Sequence, residues 1–93
     1  MLLGNHVCAE GYTYKEGDIG GWGFGGSQED SSVDCANRCN NHSGCNSYQF
    51  SAGTTSGSNC AIHSGGEGDI SGSAYGDFHM CFRGTQYQFC FRF

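Results

Sequence analysis

The sequence predicts one small, disulfide-stapled domain in which a single helix sits among short strands. Three observations carry that expectation. Seven cysteines fall within 93 residues, close to the density of secreted disulfide scaffolds. One helical stripe, Val33, Cys35, Ala36 and Cys39, stands between segments that alternate in the manner of strands. Seventeen glycines and no proline divide the remainder into turns and loops. A chain of this length buries about two-thirds of the surface it exposes when unfolded, which leaves room for one core and excludes a second.

The elements follow in order. Tyr12 and Tyr14 alternate within residues 8–16 and predict a first strand after Cys8. Residues 17–30 are too rich in glycine for regular structure and, with Trp22 and Phe24, too aromatic for a solvated linker. A packed loop is expected there, with both rings turned inward and Trp22 buried. Ser31 or Ser32 suits a helix N-cap, Asp34 complements the positive end of the helix dipole, and the helix is expected to end near Asn40 or Asn41. Residues 45–51 alternate polar with large side chains, and residues 59–64 repeat the pattern through Cys60 and Ile62, so two antiparallel strands are expected. Residues 52–58 between them are turn-forming throughout. A second glycine-rich loop at residues 65–76 leads into a last strand at 78–83. Gly17-Asp18-Ile19 and Gly68-Asp69-Ile70 echo each other but are too short to make a repeat.

Charge and cysteine usage bound the partners and the compartment. The net charge is −5, and the basic residues Lys15, Arg38, Arg83 and Arg92 are scattered, which argues against nucleic acid, polyanionic glycans and anionic lipid. No apolar run approaches the roughly 20 residues of a membrane-spanning helix. Disulfides persist outside the reducing cytosol, and a core this small needs them, so a secreted or cell-surface, extracellular location is expected. The first residues lack the basic and apolar regions of a leader. Either a leader has been removed or the chain is a piece of something longer.

Cys35 and Cys39 lie one helical turn apart on one face, so each can bridge a different neighbour lying against that face, which disfavours a bond between the two. The topology favours a nested set: Cys39 with Cys45 across the turn after the helix, Cys35 with Cys60 pinning the helix to the hairpin, and Cys8 with Cys81 joining the ends. Six cysteines allow many other pairings, which spacing alone leaves open.

With these residues in view, positions 8–83 resemble a PAN/apple domain. The resemblance rests on an early cysteine, the segment from Gly17 to Gly23 with Trp22, Cys35-x3-Cys39 on a helix, Cys45-x2-Tyr48-x-Phe50 on the next strand, then Cys60 and Cys81. It implies an α+β fold, a small disulfide-rich antiparallel sheet cradling one helix. It also implies pairing of the first cysteine with the last, the second with the fifth and the third with the fourth, and extracellular use in binding proteins or glycans. Fold alone does not fix a ligand.

Several chemistries are disfavoured by pattern. Only Cys35-x3-Cys39 has the tight spacing of a zinc knuckle, and His6, His42, His63 and His79 form no second pair, so no metal is expected. Gly21-x-Gly23-x-x-Gly26 matches a dinucleotide fingerprint, but no βαβ unit surrounds it and Asp18, Glu29 and Asp30 would face the phosphates. No nucleophile elbow occurs, and the domain has little room for a triad and a closed pocket, so no catalytic residue and no cofactor are expected. Glu67, Asp69 and Asp77 near Gly65, Gly66 and Gly68 lack calcium-loop spacing and read as a solvated acidic loop.

Sugar binding needs a flat aromatic face beside hydrogen-bonding groups, and Trp22, Tyr12, Tyr14 and Tyr75 are the candidates for a glycan or protein site. Asn41-His42-Ser43 is an N-glycosylation sequon at the expected exposed end of the helix. Beyond residue 84 the chain departs from the family. Residues 85–93 are expected to form a separate aromatic strand or connector, since Tyr87, Phe89, Phe91 and Phe93 alternate with polar residues around Cys90, the cysteine left over from the three pairs. Three fates compete for such a strand, namely pairing with its own sheet, addition to a neighbouring subunit's sheet, or cover by a following segment; addition to a partner is the favoured expectation and would assemble a homo-polymer. The expected function is a non-catalytic extracellular binding module for protein or glycan adhesion, encoded in residues 1–84. Competing with it are a subunit of an extracellular filament or coat assembled through residues 85–93, and a small secreted inhibitor.

Overall fold

The computed structural model describes residues 8–74 and 76–84. Tyr75 and the connector with Tyr87, Phe89, Cys90, Phe91 and Phe93 lie outside the described residues. Along the described chain come β1 (Tyr12–Lys15), β2 (Gly26–Ser27), α1 (Ser32–Asn40), β3 (Ser47–Phe50), β4 (Cys60–His63), a 3-10 turn (Glu67–Asp69) and β5 (His79–Arg83). The strands join in one sheet of order β1-β5-β3-β4-β2, every neighbouring pair antiparallel. One helix on an antiparallel sheet, crosslinked by three disulfides, is an α+β disulfide-rich fold.

Helix α1 forms where its sequence supplies a start. Ser31 is extended and accepts at 3.2 Å from the Asp34 amide, satisfying one of the donors a helix leaves unpaired at its first turn. Cys35, Ala36 and Cys39 are buried on one face. Val33, placed by the sequence on the same stripe, is 54% exposed, because at 100° per residue it lies on the flank of the other three. Asn41 ends the helix, its N–H bonding back to Asn37 at 3.0 Å.

The helix face packs on Tyr48, Phe50, Cys60, Ile62 and Cys81, which strand register places on one side of the sheet. The opposite side carries Ser47, Gln49, Ala61, His63, Met80 and Phe82, and all six are buried as well. Two glycine-rich loops close over that second side. Asp18 donates its N–H to Gly72 O at 3.0 Å and accepts from Ser71 N at 3.0 Å, which brings the two Gly-Asp-Ile segments into one layer. Gly17 sits where a methyl group would stand 2.5 Å from the Ile70 side chain, at φ +126°, so only glycine fits there. Disulfides join Cys8 to Cys81, Cys35 to Cys60 and Cys39 to Cys45.

Two expectations need correction. The first strand is shorter than residues 8–16, because Ala9 turns back to accept from the Tyr12 amide and pairing with β5 begins at Tyr12. Residues 17–30 are neither irregular throughout nor wrapped around inward rings. Gly26–Ser27 pairs with β4, Gly23 makes a parallel bridge to Ile62, and Trp22 and Phe24 are 47% and 42% exposed. The loop lies so close on β4 that a methyl group at Gly23 would stand 2.2 Å from Ile62 O, and no ring fits beneath it.

Candidate functional site

On the loop-covered side of the sheet, Trp22 stands edge-on against Phe78, with ring centroids 5.9 Å apart and planes at 85°. Phe78 is buried and so holds the indole without covering its exposed half. Beside the pair lies a cavity of about 190 Å³ lined by Asp18, Gly21, Trp22, Gln49 and Phe78. Its polar groups are tied into a chain. Gln49, 5% exposed, donates from Nε2 to Asp18 Oδ1 at 3.4 Å. Its Oε1 faces Nε2 of His63 at 2.8 Å, where the imidazole donates.

Each member is placed by the fold. Gln49 and His63 come from adjacent strands and point to the same side, and Asp18 is held by its three backbone bonds to the second loop. Burial pushes the His63 pKa below its ordinary value and the Asp18 charge opposes that shift, so the neutral imidazole is favoured. The arrangement offers a flat apolar surface, a carboxylate acceptor and an amide donor within one small space. That is a binding chemistry, with the imidazole turned inward to the amide.

The sequence candidates are not brought together. Tyr12 gives its hydroxyl to Asn40 at 2.7 Å, lies edge-on to Tyr48 and carries the Arg83 guanidinium over its face, so it is engaged in structure on the helix side. Tyr14 lies on that side too, 37% exposed and edge-on to His79. Trp22 alone of the described candidates borders the cavity. The acidic residues of the second loop are likewise apart: Asp69 accepts from Gly66 N at 2.9 Å, Glu67 pairs with Lys15 at 3.7 Å, and Asp77 lies against Gly53. Among the described residues no group of three metal-ligating side chains occurs. Asn41 is exposed beside His42, whose ring stacks on Phe24 at 4.1 Å.

Asp18, Gln49, Phe78 and His63 were not singled out as site residues by sequence. A lone carboxylate within a glycine-rich aromatic loop was the available signal for Asp18; the others had none.

A sheet with one helix pinned to it by a disulfide, and a half-exposed indole over a polar niche, makes a small crosslinked α+β domain. A family model, the PAN domain, matches residues 21–86, most of the chain, and the chain belongs to that family. Domains of this family are generally protein- or carbohydrate-binding modules of extracellular proteins. No curated protein and no solved structure matches the chain.

Proposed function

We propose that the chain is a non-catalytic, secreted or cell-surface adhesion module that holds a glycan at Trp22. The observation that carries this reading is the half-exposed indole standing beside Asp18 and Gln49 in one cavity. A pyranose has an apolar face that stacks on an aromatic ring and a hydroxyl rim that pairs with carboxylate and amide groups. Family membership and the three disulfides support the extracellular setting.

Trp22 is the sole tryptophan, so its fluorescence reports the site directly. Titration of the oxidised domain with a panel of neutral hexoses and N-acetylhexosamines is expected to shift its emission for at least one sugar. Trp22→Ala, read by calorimetry, and Asp18→Asn should each weaken that sugar by about tenfold or more. A panel with no response, or an Asp18→Asn protein that binds as well as wild type, would defeat the reading.

A second reading, assembly into an extracellular filament through residues 85–93, is favoured by one observation. Strand β1 stands at the end of the sheet order, and an edge strand is a template for an added one. Sizing at high concentration with and without residues 85–93 tests it. A monomer in both cases rules it out.

A further inference from the structure

A second cavity opens on the helix side of the sheet, where the start of α1, the end of β3 and the start of β5 meet. It measures about 530 Å³ and shares no lining residue with the Trp22 cavity. Phe50 and Ala52 supply apolar surface, and Asp30, Asp77 and His79 supply the polar part of the wall. The wall is firmly built. Asn59, 4% exposed, accepts from Glu29 N at 2.7 Å and donates to Glu29 O at 2.8 Å, and the His79 ring is held edge-on to Tyr14 at 5.7 Å.

The charge of this cavity is not balanced from within the described residues. Lys15 is paired with Glu67 at 3.7 Å, Arg38 donates to Ser27 at 3.0 Å, and Arg83 donates to Asn40 and the Cys45 carbonyl; none of the three lines the cavity. The N-terminus of α1 contributes about half a positive charge, against the two carboxylates of Asp30 and Asp77. The net field inside is therefore negative, over an apolar wall, in a chain whose overall charge is −5.

We propose that this cavity receives a lysine or arginine side chain of a partner protein. The methylenes lie on Phe50 and Ala52 and the cationic head meets Asp30 and Asp77, matching the split between stem and head in those two side chains. A saccharide is a poorer match, because Phe50, 7% exposed, shows only a small apolar area, enough to meet a methylene stem and too little to stack the face of a pyranose. The site makes the module two-sided: a protein contact on the helix side, and the Trp22 cavity on the other.

The test is an NMR titration of the oxidised domain at low salt with blocked lysine and arginine amides, blocked norleucine amide and tyramine. Lysine or arginine amide should move the His79 and Phe50 resonances with a Kd on the order of 1 mM, leaving Trp22 unmoved, and norleucine amide should not. The doubly substituted Asp30→Asn/Asp77→Asn protein should bind about tenfold more weakly. Ala52→Trp, which fills the cavity from an exposed turn, should block binding while the disulfides and thermal midpoint stay intact. Equal binding of norleucine amide, binding of tyramine without the two basic amides, shifts elsewhere than the cavity, or undiminished binding by the double variant would each overturn the proposal. None of these outcomes bears on sugar binding at Trp22.

Discussion

Gly23 lies directly on the imidazole of His63: a methyl group built on Gly23, at φ +58°, would stand 2.7 Å from Nδ1 and 2.2 Å from the carbonyl oxygen of Ile62. That contact sets the height of the Trp22 loop above β4. Gly23→Ala would force the loop outward, since the nearer obstacle is backbone and yields less than a side chain. The expected cost is about 2 kcal/mol or more, from the left-handed conformation and the displaced bridge together. Urea denaturation of the oxidised protein checks it, and an unchanged midpoint would show that the loop relaxes freely.

His63 makes stability depend on pH. Its burial holds the folded-state pKa below the ordinary 6.5, with the Asp18 charge pulling upward. As pH falls, the unfolded chain takes up the proton first, so stability that is complete above pH 6.5 declines as pH drops through the folded-state value. Denaturation midpoints between about pH 7.5 and about pH 5 should therefore fall more steeply for wild type than for His63→Gln. Asp18→Asn, which removes the upward pull, should steepen the fall further. Parallel profiles for wild type and His63→Gln would contradict the assignment.

The three disulfides are expected to rank by the length of chain they close. Sequence separations are 73 for Cys8–Cys81, 25 for Cys35–Cys60 and 6 for Cys39–Cys45. In the chain-entropy description these correspond to about 4.4, about 3.5 and about 2.3 kcal/mol. Paired Cys→Ala variants should lose stability in that order, measured by thermal midpoint under non-reducing conditions. A larger loss for Cys39/Cys45 would point to native-state packing around its buried sulfurs as the dominant contribution.

Asn41 is positioned for modification. It is exposed at the C-terminal cap of α1, with Ser43 exposed two residues on. Expression through a eukaryotic secretory pathway should add the mass of one N-glycan, removable by an endoglycosidase, and Ser43→Ala should abolish it. An unmodified intact mass from such a host would show that the cap geometry denies access to the transferase.

The helix was legible because its signals are local: Ser31 before Asp34, and Cys35 and Cys39 one turn apart, lie within a few residues of each other. The β3–β4 pair was legible for the same reason, since Tyr48, Phe50, Cys60 and Ile62 mark one face by alternation alone. Strand β2 was not, because Gly26 and Ser27 carry no alternation and pair only where Gly23 allows the loop to lie flat on Ile62. The outward turn of Trp22 and Phe24 was hidden for a related reason, since burying large rings is the ordinary expectation and only the thinness of the glycine layer overrides it. Gln49 and His63 occupy strand positions that alternation assigns to solvent. Their burial depends on residues 17–23 and 65–72 folding over them, a long-range event with no local trace.

The Cys8–Cys81 bond has a mechanical consequence. It ties the start of the described chain to β5, and Gly84 then donates its N–H to Gly11 O at 2.9 Å, so the chain enters and leaves the domain at one edge. Tension applied between residues 8 and 84 crosses the sulfur–sulfur bond and then only the few residues after Cys81. The load bypasses α1, the Gly23 contact and both cavities, so pulling on the flanks can part β1 from β5 only at the Tyr12–Arg83 and Thr13–Phe82 pairs, and no further until a covalent bond is broken. A domain wired in this way keeps both cavities in shape under a force applied between residues 8 and 84.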